Sequence, residues 1–80
     1  MPRSKIAIQG NVQIWVHAND HNPPHCHVIW GQQEILIDLK DFTVLRKTGF
    51  KLVSDIRRVI GIVAENQDAL LAQWREYHED

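Results

Sequence analysis

Val12-Gln13-Ile14-Trp15-Val16-His17-Ala18-Asn19-Asp20-His21-Asn22-Pro23-Pro24-His25-Cys26-His27-Val28-Ile29-Trp30 is the stretch that decides the architecture. Val12, Ile14 and Val16 alternate with Gln13, Trp15 and His17, the period-two pattern of a half-buried strand. Ala18 to Pro24 is loop chemistry. Its Asn and Asp residues favour turns, and Pro23-Pro24 excludes helix and offers no backbone donors to a ladder. His25 to Trp30 alternates again, with Cys26, Val28 and Trp30 on one side and His25, His27 and Ile29 on the other.

Outward from this core the same logic continues. Lys5 to Gln9 alternates with Ile6 and Ile8 on one side, and Gly10-Asn11 is a two-residue hairpin signal. Gly31-Gln32 turns the chain into a fourth strand whose apolar side is Ile35, Ile37 and Leu39. The period then changes. Ser54 is placed as a helix N-cap with Asp55 in the first turn, and Ile56, Val59, Ile60 and Val63 follow at helical spacing. Leu70, Leu71, Trp74 and Tyr77 continue it. The polar Glu65-Asn66-Gln67-Asp68 either divides this region into two helices, with Asn66 as the second cap, or forms the exposed turn of one bent helix. Residues 41–53 form a connection without an assigned element, with a short fifth strand around Thr43 to Leu45 as an option. The sequence therefore predicts an α+β fold: an antiparallel β-meander of about four strands over residues 5–40, with one bent or two C-terminal helices over 54–78 packed on one face. Residues 1–80 form a single domain. Ile6, Ile8, Val12, Ile14, Val16, Val28, Ile35, Ile37 and Leu39 are expected to meet Ile56, Val59, Ile60, Val63, Leu70 and Trp74 in the core.

Composition narrows the function classes. With 44% hydrophobic and 24% charged residues the chain is of globular type and not a disordered tail. No apolar run approaches the roughly 18 residues of a membrane span. The segment after Met1 does not read as a secretory signal, and a single cysteine excludes a disulfide scaffold, so the cytoplasm is the expected compartment. Nine Lys/Arg against ten Asp/Glu give a net charge of −1, without the excess positive charge common in nucleic-acid binders. The distribution is polarised. Lys40, Arg46, Lys47, Lys51, Arg57 and Arg58 crowd the middle, whereas Glu65, Asp68, Glu76, Glu79 and Asp80 crowd the end. Solvated faces explain most such runs; Lys47, Lys51, Arg57 and Arg58 are the candidate phosphate or acidic-partner contacts.

Strand parity assembles the histidines. With Val12, Ile14 and Val16 turned to the helices, Trp15 and His17 face away, and so do His25 and His27. Residues two apart on a strand lie about 6.6 Å apart on one side, and a cross-strand neighbour lies about 5 Å away. His17, His25 and His27 can thus converge beside the Asp20-His21 loop, while His78 belongs elsewhere. Three readings use this cluster. In the first, His21, His25 and His27, with His17 and the carboxylate of Asp20 or Asp38, hold zinc or another divalent first-row ion. In the second, His25 and His27 act as metal-free acid and base on RNA, with His21 and Asp20 orienting them. In the third the imidazoles are structural and brace the Pro-Pro turn. Cys26 has inward parity and reads as a small buried residue rather than a nucleophile. Trp15, on the outer face, is exposed or contacts a partner, whereas Trp30 and Trp74 read as core. No glycine-rich phosphate loop, serine elbow or Walker lysine is present.

The segment Asn19-Asp20-His21-Asn22-Pro23-Pro24-His25-Cys26-His27-Val28 resembles the signature of a small bacterial family, domain of unknown function 4160. So does the C-terminal Glu65-Asn66-Gln67-Asp68-Ala69-Leu70-Leu71-Ala72-Gln73-Trp74-Arg75-Glu76-Tyr77. Cys26 replaces the apolar residue, often Val, that this family carries. The resemblance points to Asp20, His21, His25 and His27 as defining positions without assigning their role. It implies a toxin of a type II toxin–antitoxin module, with a cognate antitoxin of the domain of unknown function 2442 or helix-turn-helix type as partner. On that reading the chain is a ribonuclease or metal-dependent hydrolase. The alternative is a non-catalytic protein-binding module, antitoxin-like or inhibitory, favoured by the near-zero net charge, by Trp15 and by a small core that gains stability from a partner.

Overall fold

In a computed structural model the chain is described over residues 3–9, 11–17 and 23–78, with side chains described over 11–16 and 23–77. Five strands, β1 (Arg3–Gln9), β2 (Val12–His17), β3 (His25–Trp30), β4 (Gln33–Asp38) and β5 (Val44–Thr48), precede two helices, α1 (Val53–Glu65) and α2 (Gln67–His78). The strands form one open antiparallel sheet in the order β1-β2-β3-β4-β5. The fold is α+β, as the change of period requires.

Parity sets the two faces. Val12, Ile14, Val16, Cys26, Val28, Ile35, Ile37 and Leu39 are buried and join Val59, Ile62, Val63, Leu70 and Trp74 of the helices in one apolar cluster. Cross-strand pairing builds it in rows, Ile14 opposite Val28 and Val28 opposite Ile35. Burial holds the Cys26 thiol in its neutral form, its pKa pushed up to about 12 by desolvation. In the β1–β2 ladder a register shift between Lys5 and Ala7 sets Ala7 opposite Ile14 and Ile8 opposite Gln13. The side chains of Ile6 and Ile8, expected in the core, lie outside the described ones.

Three features differ from the sequence reading. The optional fifth strand is real and longer toward its C-terminal end, with an irregularity between Leu36 and Ile37 that leaves Leu45 as the extra residue. An edge strand with only one paired side needs no alternation, so its pattern is weak. The first cap of α1 is Leu52, not Ser54. Leu52 is extended (φ −99°, ψ 129°), no side chain caps the helix, and its carbonyl receives the amides of Asp55 and Ile56 at 3.1 and 3.2 Å. Phe50 is buried in the core, and the helix begins soon after the chain leaves that anchor. The helical region is two helices. The Asn66 side chain donates back to the Ile62 carbonyl at 2.8 Å while its own carbonyl receives the Leu70 amide at 2.9 Å. Asn66 thus ends α1 and starts α2 at a single residue.

Three turns carry left-handed backbone, the first at Gly31 (φ +64°) between β3 and β4. Gly49 (φ +86°) follows β5, and a Cβ there would stand 3.4 Å from Gln33. Phe42 (φ 62°) adopts the same region with a side chain, packed against the core. The turn around it is closed by the Phe42 amide on the Asp38 carbonyl (2.9 Å), the Asp38 amide on the Thr43 carbonyl (2.8 Å) and the Lys40 amide on the Asp38 carboxylate (2.7 Å).

Truncating Leu70, which is fully buried, to alanine should cost about 2–5 kcal/mol in urea unfolding followed by circular dichroism. Leu52→Ala, at 60% exposure, should stay within about 0.5 kcal/mol. Equal losses would mean that the helices do not pack as described. Iodoacetamide at pH 8 should leave Cys26 unmodified in the folded protein and alkylate it in urea.

Candidate functional site

The site is built at the end of the sheet where β3 begins. Pro23 and Pro24 deliver the chain into β3 with φ fixed by their rings. The Pro24 carbonyl receives the Leu39 amide at 2.8 Å, which ties this segment to the end of β4. The Leu39 carbonyl in turn receives the side-chain amide of Gln67 at 2.8 Å, which ties the start of α2 to the same point. The segment that leads into His25 is therefore held from two elements distant in sequence.

His25 is buried, at 9% exposure. Its Nδ1 lies 2.7 Å from the Pro23 carbonyl, and because a carbonyl only accepts, Nδ1 carries the proton. The ring packs 5.3 Å from Trp74 of α2 and 5.4 Å from the ring of His27. Parity alone expects His25 on an open outer face. Its place at the strand end, reached by Trp74 from the helical layer, buries it instead. His27 follows parity more closely: it stands opposite Trp15 of β2 and Leu36 of β4, and its Nδ1 lies 3.4 Å from a carboxylate oxygen of Glu34. Both imidazoles thus direct Nδ1–H to an acceptor, and in the neutral ring the lone pair is then on Nε2.

The register decides the carboxylates. Asp38 stands opposite His25, but its Oδ1 accepts the amide of Lys40 and belongs to the turn. Strand parity puts Glu34 on the outer face with Leu36 and Asp38, but it is not among the site residues expected from the sequence. It sits diagonally from His27, a relation that becomes visible only when the β3–β4 register is known. Of the other expected ligands, Asp20 and His21 lie outside the described residues, as does the side chain of His17. Among the described residues no three His, Cys, Asp or Glu side chains group as a metal site.

Trp15 is brought beside His27 and is half-buried rather than exposed. The row Lys5, Trp15, His27, Leu36, Arg46 runs across all five strands by register. The candidate contacts Lys47, Lys51, Arg57 and Arg58 are all exposed, but they lie away from the histidines. Lys47 stands opposite the inward Ile35, Lys51 follows β5, and Arg57 and Arg58 are on α1. Arg58 sits 5.7 Å over the Trp30 ring and, with Gly61, Ile62 and Glu65, lines a depression of 340 Å³. No helix among the described residues is long and apolar enough to cross a membrane.

Nitrogen-detected NMR of the imidazoles should find Nδ1 protonated in both His25 and His27 of the neutral form. Glu34→Gln should perturb the His27 ring and leave that of His25 unchanged. An Nε2-protonated His25 would contradict the bond to Pro23.

No curated protein and no solved structure matches the chain. The model of the family described as Domain of unknown function (DUF4160) matches residues 11–75, a span that takes in β2 to β5, α1, most of α2 and the whole histidine segment. The chain belongs to the DUF4160 family.

Proposed function

We propose that the chain holds a divalent first-row metal ion, zinc by preference, at the His25–His27 corner and uses it to hydrolyse RNA, as the toxin half of a two-protein bacterial module. The observation that carries this reading is the pairing of two imidazoles 5.4 Å apart, with Nδ1 of His25 on the Pro23 carbonyl at 2.7 Å and Nδ1 of His27 toward the Glu34 carboxylate at 3.4 Å. Metal-bound histidines characteristically hand their second ring N–H to a carboxylate or a backbone carbonyl, which orients the ligating nitrogen. Two imidazoles on one tetrahedral ion, with Zn–N bonds of about 2.0–2.1 Å, place their ring centres about 5 Å apart. The remaining ligands come from His21, Asp20 and His17, which precede Pro23 in the chain.

An ion held by His25 and His27 would supply a bound water of lowered pKa and positive charge for a phosphodiester oxygen. The chain supplies the rest. The Pro23 carbonyl and Glu34 hold the two rings. Trp15 offers a surface for a base beside His27, and Arg46 closes the outer-face row with positive charge. A second reading, a non-catalytic module that binds a protein partner, draws on the half-buried Trp15, Ile29 and Leu36 of the same outer face.

Zinc titrated calorimetrically into metal-free protein should bind at one equivalent. The His25→Ala/His27→Ala variant should lose at least about tenfold in affinity, and Glu34→Gln should lose about tenfold. Induced wild type should arrest bacterial growth and cleave a labelled single-stranded RNA, and the double variant at matched soluble expression should do neither. Arrest by both proteins would mean a toxin acting through another surface, the basic segment or Trp15, and arrest by neither would support the binding module. Absence of any zinc binding would remove the metal from the reading.

A further inference from the structure

Strand β5 is an edge of the sheet: it pairs with β4 on one side only. Leu45 to Thr48 are all exposed. The large apolar side chains that stand well exposed among the described residues are Leu45 (43%), Leu52 (60%) and Val53 (63%), and all three fall within the stretch 45–53. Lys47 and Lys51 lie in the same stretch, and Arg57 follows one turn into α1, all of them exposed. No carboxylate occurs between Asp41 and Asp55. An open strand edge, aliphatic side chains and positive charge therefore run together from β5 to the start of α1, whose first turn brings Asp55 as the first carboxylate.

We propose that this edge takes an extended segment of a partner protein in which acidic residues alternate with aliphatic ones, added to the sheet alongside β5. Backbone pairing with a strand edge supplies affinity, and side chains alternating along the added strand supply specificity. The charge selects the occupant. A second copy adding by its own β5 sets Arg46 and Lys47 against the same residues, and one adding by β1 brings Arg3 and Lys5; like charges oppose both pairings. An acidic strand paired along β5 meets Arg46 and Lys47 with opposite sign, and Lys51 follows just beyond the strand end. Nucleic acid fits less well, since its bases stack on aromatic rings and this stretch presents Leu45, Leu52 and Val53. The surface meets the histidine row only at Arg46, which the test leaves unchanged. Lys47 is on the inward side of the sheet edge, and the metal reading of His25 and His27 stands or falls without it.

The test uses the full chain and a fluorescein-labelled peptide of about ten residues alternating Glu with Val and Leu, a length that matches an ordinary strand. Fluorescence anisotropy should show saturable binding that weakens as salt rises. Lys47→Glu/Lys51→Glu should weaken it by about tenfold or more while the urea midpoint changes little, because both sites are exposed. Amide exchange in β5 should slow when the peptide is bound. A peptide with Lys in place of Glu should not bind. The proposal is overturned by absence of binding, by affinity indifferent to the double substitution, by a single-stranded RNA of equal length binding the same residues more tightly, or by sedimentation showing that the free chain dimerises through β5.

Discussion

The pairing of β3 with β2 on one side and β4 on the other is the constraint on which everything else rests. Side chains alternate across a strand, so a slip of one residue would exchange Cys26 and Val28 for His25, His27 and Ile29 on the face that meets the helices. The core would then receive two imidazoles, and the outer face two small apolar groups. Burial of Val28 between Ile14 and Ile35 opposes that slip from both neighbours. The same register that closes the core therefore sets His27 beside Trp15 and within reach of Glu34. Site and core are two faces of a single set of strand pairings.

How much of this could be read in advance follows from the range of the interactions. The alternation Val12-Ile14-Val16 and the turn residues around it act within a few positions, so the meander and the burial of Cys26, Ile35, Ile37 and Leu39 were legible. The outward side of His27 was legible for the same reason. The burial of His25 was not: it depends on Trp74, which reaches the β3 end from a helix far along the chain. Glu34 required the β3–β4 register, and Leu36, not Asp38, is what stands opposite His27. Strand β5 carried little signal, because an exposed edge strand with an extra residue at Leu45 neither alternates nor hides apolar groups. Ser54 had the right chemistry for a cap, but the helix starts at Val53, with Leu52 in the cap position.

Small chains bury a limited fraction of their surface, and a site that needs fixed geometry must draw its rigidity from elsewhere. Here it comes from one backbone unit. Leu39 gives its amide to the Pro24 carbonyl and its carbonyl to the Gln67 side chain, and its own side chain is fully buried. The loop that introduces the histidines, the end of β4 and the start of α2 are joined at that residue. Gln67, Leu70 and Trp74 recur at helical spacing on α2, so the contact that places Gln67 on Leu39 also brings Leu70 into the core and Trp74 against His25. The break at Asn66 makes this possible. An uninterrupted helix would carry α2 onward along the axis of α1. Ending α1 at Asn66 and starting again at once leaves the direction of α2 free to be set by Leu39, and the imidazole of His25 is held in place by that choice.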